Sequence, residues 1–112
     1  MDNDRDLVFL KHIFDETGFL LSTCKGKSIE ELKEDGILQR AVQRSLEIIG
    51  EAVKNLSRDF KEEHLEIEWK KIAGLRDKLI HHYFGVDWDI VWDILQNKIP
   101  ELHNQIETIL DE

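Results

Sequence analysis

The sequence predicts an all-α fold, an up-down bundle of four or five helices in a single domain over residues 1–112. Apolar residues recur at three- and four-residue steps along several segments, the spacing of helices with one buried face. No stretch of useful length alternates apolar and polar residues as a half-buried strand would. A chain of 112 residues builds only a small core, so pairing of two copies would help to stabilise it.

The first two predicted helices lie between residues 4 and 35. The first runs from about residue 4 to residue 23, and Gly26 is expected to end it. Ser28 and Glu31 have the spacing of a capping box, which predicts a short helix that ends near Asp35. The expected apolar stripe of the first helix comprises Leu7, Leu10, Phe14, Thr17 and Leu21.

A long helix is predicted over residues 37–60. Gly50 lies in its middle, where glycine costs roughly 1 kcal/mol relative to alanine. We therefore expect another helix, from the same chain or from a second copy, to approach closely at Gly50. Residues 61–68 are predicted to form a surface connection, with His64 solvated. The apolar stripe of the long helix comprises Leu38, Val42, Ile49, Val53, Leu56 and Phe60.

The last third of the chain is also predicted to be helical. A short turn over residues 69–74 breaks at Gly74, and a helix over about residues 75–84 ends at Gly85 in the left-handed conformation. Asp87 caps the next helix, which runs to about residue 97. Pro100 stops or kinks it and begins a final helix to about residue 110. His103 is expected to be exposed on that final helix.

Composition and charge exclude several classes of protein. Hydrophobic content of 41% and charged content of 35% describe a globular chain rather than a disordered one. We find no membrane span and no secretory signal, and the single cysteine, Cys24, forms no internal disulfide, so a structural thiol in the cytoplasm is expected. The net charge of −9 argues against a protein that coats DNA or RNA non-specifically.

One segment between Trp69 and Tyr83 is locally basic and carries the candidate chemistry. On an ideal helix, Arg76 and Tyr83 lie about 20° apart around the axis, and Arg76 and His81 lie about 140° apart. Asp77 precedes His81 by four residues, so its carboxylate can favour the protonated imidazole and fix its orientation. The basic residues of this segment are Lys70, Lys71, Arg76 and Lys78.

These residue types suit RNA cleavage. The reaction needs a base for the 2′-hydroxyl, an acid for the leaving 5′-oxygen, and positive charge at the phosphorus. His81 is the natural acid–base group, and Arg76 is the natural phosphate clamp. One His81 in each chain leaves one proton transfer unassigned, and a homodimer with two motifs facing one cleft would supply it. Lys70, Lys71, Lys78 and His82 are candidate RNA-binding residues.

The sequence contains no pattern typical of a metal site or of a phosphate-binding loop. His81 and His82 are adjacent, so they point about 100° apart on a helix. The chain has one cysteine and lacks an HExxH pattern. It also lacks a glycine-rich phosphate loop and a serine elbow. We expect neither a metal ion nor a cofactor.

The motif resembles that of the HEPN superfamily, in particular its HepT-like toxins. The pattern is an arginine, four residues, a histidine, one residue and a tyrosine, here Arg76, His81 and Tyr83. The residue after the arginine is usually small and polar in that superfamily, and Asp77 conforms. The resemblance covers most of the chain from about residue 38 onward, including residues 48–52, 69–75, 83–87 and 91–94.

This resemblance implies an HEPN-type bundle that acts as a homodimeric, metal-independent RNase toxin of a type VII-like system. Its partner would be a minimal nucleotidyltransferase antitoxin, which silences the toxin by attaching AMP to Tyr83. Two alternatives remain open. In the first, the chain is a non-catalytic HEPN module that binds such a partner or a nucleotide. In the second, it is a histidine phosphotransfer domain. The surroundings of His81 lack the lysine- and glycine-containing context expected of the latter.

Overall fold

Helices account for most of the part of the chain that the structure, a computed structural model, describes: residues 4–75, 77 and 85–112. No strand occurs within these residues, which confirms the all-α prediction. The helices whose two ends both lie within these residues are α1 (Asp4–Cys24), α2 (Ile29–Glu34), α3 (Gly36–Asn55), α4 (Arg58–Glu63), α5 (Trp69–Ala73), α6 (Trp88–Asp93) and α7 (Ile99–Leu110). A π-helical turn, Ile94–Lys98, joins α6 and α7.

Helix α1 packs against both α3 and α7. Its fully buried face includes Ile13 and Leu20, which were not part of the predicted stripe. The prediction identified one edge of this face, because a helix between two neighbours buries a wider arc than a single stripe. Three residues of the predicted stripe are only half-buried: Leu7, Phe14 and Leu21.

Two polar caps fix the first helix boundaries. The backbone N–H of Glu31 donates to the Ser28 hydroxyl at 3.2 Å, which confirms Ser28 as the cap of α2. Asp35 then accepts from the backbone N–H groups of Ile37 and Leu38, both at 3.0 Å. Such caps supply partners to the first N–H groups of a helix. Helices α2 and α3 are therefore separated by a single residue.

The long helix ends at Asn55, so the predicted extension to Phe60 is wrong. The carboxylate of Asp6, which is 2% exposed, accepts from the Ser57 backbone N–H at 2.7 Å and from its hydroxyl at 2.6 Å. The N–H that would continue α3 is thereby bound to α1. Ser57 also accepts from the Phe60 N–H at 3.2 Å and so caps α4.

The connection after α4 is packed against the core, and the predicted solvation of His64 is wrong. The His64 side chain is only 16% exposed, with Nδ1 3.4 Å from a Glu66 carboxylate oxygen. Its ring lies 4.6 Å from that of Phe60. The indole Nε1 of Trp69 donates to the carbonyls of Lys61 at 3.2 Å and His64 at 2.9 Å. This bifurcated bond connects the start of α5 to the end of α4.

The sequence predicted that Pro100 stops or kinks the helix, but the helix does not stop there. The helical backbone continues through the π turn, where the Ile99 N–H donates to the Ile94 carbonyl, five residues back. Pro100 then occupies the first turn of α7, where a missing backbone donor is tolerated. The predicted final helix to Leu110 is confirmed, and the predicted break is replaced by a local change in hydrogen-bond register.

His103 is half-buried between α1 and α7, so the prediction that it is exposed is wrong. Its Nδ1 lies 2.8 Å from the Thr17 hydroxyl oxygen, and its ring stacks on Phe14 at 4.5 Å. The Thr17 hydroxyl donates its proton to the Phe14 carbonyl at 3.0 Å. With the hydroxyl proton on the Phe14 carbonyl, the tautomer that matches this arrangement carries its proton on Nδ1 and donates to Thr17.

Two small residues are buried as the sequence indicated. Gly50 is buried within the single chain, so the chain itself covers it. Cys24 is also buried, and this burial raises the pKa of its thiol against the opposing effect of the Lys27 charge. A raised thiol pKa disfavours the nucleophilic thiolate, which agrees with a structural role.

Replacing Asp6 by alanine should lower the free energy of unfolding by about 2–3 kcal/mol, because two charge-assisted hydrogen bonds to Ser57 are lost. Urea denaturation monitored by circular dichroism measures this change. Asp15→Ala, an exposed change on the same helix, is the control and should stay within about 0.5 kcal/mol of wild type. Equal stability of the two variants would contradict a structural role for the Asp6 carboxylate.

Candidate functional site

The candidate site begins at the end of α5, just before the motif that starts at Arg76. The structure describes Lys70, Lys71 and Asp77, all three of them exposed. Asp77 is helical, as is Leu75 before it, in agreement with a helix that starts near residue 75. The other predicted site residues lie outside the described residues: Arg76, Lys78, His81, His82 and Tyr83.

The core positions the residues that lead into the motif. Trp69 at the start of α5 is 7% exposed, and Leu75 is 6% exposed. Helix α5 packs on α3, and Gly74 forms a turn between Ala73 and Leu75, which confirms the predicted break. Because Leu75 is anchored in the core, the backbone enters the motif from a fixed point.

The far side of the motif is also well defined. Gly85 has a φ of +124°, a value that residues with side chains rarely adopt. Two residues later, the Asp87 carboxylate accepts from the backbone N–H groups of Asp89 at 3.0 Å and Ile90 at 3.3 Å. These contacts confirm Asp87 as the cap of α6. Asp87, four residues after Tyr83, therefore fixes the start of α6.

Glu68 changes the expected electrostatics of the basic segment. Its carboxylate lies 2.8 Å from Lys71 Nζ and 2.6 Å from Lys98 Nζ. Hydrogen bonds from Lys71 and then Lys98 lower the pKa of Glu68 to about 2, so it stays ionised at neutral pH. Lys71 is thus paired with an acid, whereas Lys70 has no ion-pair partner within the described residues. No signal in the sequence points to Lys98, because it lies 30 residues from Glu68.

A groove of about 180 Å³ lies beside this ion-pair cluster, between α5 and the segment formed by α6, the π turn and α7. Its floor is apolar, and Leu75, the last residue before Arg76, contributes to it. The rim carries charges of both signs. Floor residues include Ile72, Leu75, Ile94, Ile99 and Leu102, and rim residues include Glu68, Lys71, Asp93, Lys98 and Glu101.

Residues 4–75, 77 and 85–112 contain no group of three or more His, Cys, Asp or Glu side chains arranged to hold a metal ion. Over the same part of the chain, no helix is both long and apolar enough to cross a membrane.

Comparisons with known proteins agree with the motif. The family described as Ribonuclease HepT-like matches residues 13–109. A candidate RNase of Caldanaerobacter subterraneus is 52% identical over 104 residues, which cover 93% of each chain. A candidate RNase of Methanocaldococcus jannaschii is 44% identical over 105 residues, which cover 94% of this chain and 87% of that one.

A third relative, a candidate HepT ribonuclease of Thermococcus cleftensis, is 49% identical over 80 residues. That alignment covers 71% of this chain and 73% of the relative. No solved structure matches the chain. The similarity thus rests on sequence, and it extends well beyond the motif to both sides of it.

Proposed function

The chain belongs to the HepT-like ribonuclease family, and from this premise we propose that it is the toxin of a type VII-like toxin–antitoxin pair. In this proposal it is an endoribonuclease that cleaves RNA without a metal ion in the cytoplasm. The observation that carries the proposal is the family match over residues 13–109, which includes the whole segment from Arg76 to Tyr83.

Three motif residues have distinct roles in the proposed reaction. Arg76 binds the scissile phosphate with its permanently charged, bidentate guanidinium and stabilises the charge that develops there. His81 transfers the proton, because imidazole titrates near neutral pH. Asp77 holds His81 in orientation and supports its protonated form.

The proposed active form is a homodimer. One His81 per chain accounts for one of the two proton transfers, and two motifs facing one cleft account for both. RNA reaches this cleft along a basic strip to which Lys70, Lys78 and His82 contribute. Lys71 contributes less, because Glu68 neutralises part of its charge.

A minimal nucleotidyltransferase is the proposed antitoxin. It transfers AMP from ATP to the hydroxyl of Tyr83: the tyrosyl oxygen loses its proton and bonds to the α-phosphorus, and pyrophosphate leaves. An ideal helix places Tyr83 about 20° around the axis from Arg76 and two turns further along. The added phosphodiester brings negative charge and acceptor oxygens that the Arg76 guanidinium attracts. The modification therefore fills the phosphate site and repels the RNA backbone without any refolding.

The net charge of −9 favours one second candidate, a non-catalytic module that binds a nucleotidyltransferase or a nucleotide. An acidic surface weakens RNA binding everywhere except at a local basic site. The Glu68 ion pairs reduce the positive charge beside the motif further. The two candidates differ in one respect that is easily measured, which is RNA cleavage.

Arg76→Ala and His81→Ala should each reduce RNA cleavage by about 100-fold or more, because each removes a group that acts on the transition state. The double variant should be little worse than either single variant, since both residues serve one step. Asp77→Asn should be milder, because an amide still holds a hydrogen bond to His81. Cleavage of labelled RNA in the presence of a chelator measures all four.

Lys61→Ala, a change on α4 outside the motif, is the matched control and should retain full activity. Circular dichroism should show the same helical content in every variant. RNA cleavage by His81→Ala at the wild-type rate would contradict the role of His81. Absence of cleavage by the wild-type protein would favour the non-catalytic module.

Tyr83→Phe should escape silencing while keeping the aromatic ring. When the chain is produced together with a cognate nucleotidyltransferase and ATP, mass spectrometry should detect AMP-sized additions on the wild type and none on Tyr83→Phe. The assignment is unambiguous at tyrosine because the chain contains only one. Growth of cells that express each pair reports whether the modification silences the toxin.

Wild type should be tolerated with its partner, whereas Tyr83→Phe should remain toxic. Addition of His81→Ala to Tyr83→Phe provides the control, since loss of catalysis should remove the toxicity. If Tyr83→Phe is silenced as completely as wild type, the partner acts by binding alone and the modification has no role in control.

A further inference from the structure

On the outward face of α3, the basic side chains precede the acidic ones along the helix. Arg40 and Arg44 come first along the helix, and Glu47 and Glu51 follow. On an ideal helix these four side chains fall within an arc of about 60°. That arc lies opposite the buried face of α3, which includes Val42, Leu46, Ile49 and Val53. The N-terminal half of this arc is thus basic and the C-terminal half acidic, with the exposed Lys54 about 20° beyond its edge.

Such an order is self-complementary for a second copy that runs antiparallel. In a two-fold contact, residue i of one chain faces residue j of the other, and j faces i. An axis that passes between positions 45 and 46 would set Arg44 opposite the partner's Glu47. The same axis would set Arg40 opposite the partner's Glu51. Each basic half then meets an acidic half, and like charges stay apart.

An exposed isoleucine and a groove fit the same axis. Ile37, at the start of α3, is 83% exposed, more than any other large hydrophobic residue that the structure describes. A groove of about 430 Å³ runs between α1 and α3. Phe9, Ile48 and Ala52 form its apolar part, and the polar residues that line it are His12, Arg44, Glu47, Glu51 and Asn55. The antiparallel arrangement would bring the partner's Ile37 opposite positions 54 and 55, beside this groove.

We propose that this α3 face, together with the α1–α3 groove, is the surface through which two copies of the chain associate. The proposal rests on the proposed function in one respect: a two-motif site requires two chains. Arg44 already lies 3.6 Å from Glu47 of its own chain, but that pair is exposed, and exposed pairs contribute little. Arg44 can therefore bridge Glu47 of both chains at little cost.

Charge reversal provides the sharpest test. Arg44→Glu and Glu47→Arg should each raise the dimer dissociation constant by about tenfold or more, because like charges would face each other across the axis. Combining both changes in one chain should restore association, since the two halves are again complementary. Mixing the two single variants should give a heterodimer. Glu51 has a further contact of its own, so these variants leave it unchanged.

Sedimentation velocity over a range of protein concentrations measures each dissociation constant without RNA. Arg58 and Glu62 of α4 provide the matched control, because they form a similarly exposed ion pair at 3.0 Å on another helix. Arg58→Glu and Glu62→Arg should leave the dissociation constant unchanged. Circular dichroism should show that all variants are equally helical, so that loss of folding is not mistaken for loss of association.

Ile37→Ser tests the apolar half of the proposal independently. Ile37 is exposed in the single chain, so the fold should be retained. Association should nevertheless weaken, because the apolar contact of Ile37 with the partner's groove would be lost. Leu65→Ser is the control: Leu65 is 77% exposed on the connection between α4 and α5, and its replacement should not affect association.

Two results would overturn the proposed surface, and both can be told apart from a failure of the proposed function. If the wild type is dimeric and the α3 variants associate as tightly as it does, the dimer uses another face and the RNase proposal stands. If the wild type stays monomeric at concentrations where it cleaves RNA, the surface and the two-motif site both fail, while RNA cleavage itself is retained.

Discussion

The bond between the buried Asp6 carboxylate and Ser57 determines where the long third helix ends, and the approach to the motif depends on that point. With its N–H and hydroxyl bound to α1, Ser57 caps α4 rather than extending α3. Helix α4 in turn supplies one of the carbonyls that hold the Trp69 indole. Trp69 begins α5, and α5 leads to Leu75 and the motif. A carboxylate on the first helix thus governs the path of the chain to residue 76.

The described residues beside the motif carry little net positive charge, because acidic side chains neutralise part of the basic ones. Glu68 pairs with Lys71 and Lys98, which belong to different parts of the fold. This arrangement links α5 to the π turn through exposed ion pairs and leaves less positive charge for RNA. An acidic protein with a small cationic site selects RNA that can place a phosphate at the site, and it disfavours binding along the rest of its surface. An acidic surface with a small cationic site suits a nuclease for which non-specific binding to RNA would be harmful.

Local signals in the sequence predicted the helix boundaries where the cap and its target are close together. Ser28 and Asp87 behaved as expected because each acts within a few residues. Gly85 has a positive φ, but the helix that it was predicted to end lies largely outside the described residues. Three errors arose from partners that are distant in sequence or from a shift in register. Ser57 and Asp6 are 51 residues apart, and Thr17 and His103 are 86 apart. A π turn accommodates Pro100, and no local sequence pattern predicted that turn. At the site, the sequence identified Lys71 but could not reveal the Glu68 ion pairs that link it to Lys98.

The central claim is that two chains build one metal-independent RNA-cleaving site. The most direct measurement is the rate of RNA cleavage per chain, in the presence of a chelator, over protein concentrations that span the monomer–dimer transition. The account predicts that the rate per chain rises with concentration in parallel with the dimer fraction and then reaches a plateau. A rate per chain that stays constant down to concentrations at which the protein is monomeric would contradict it.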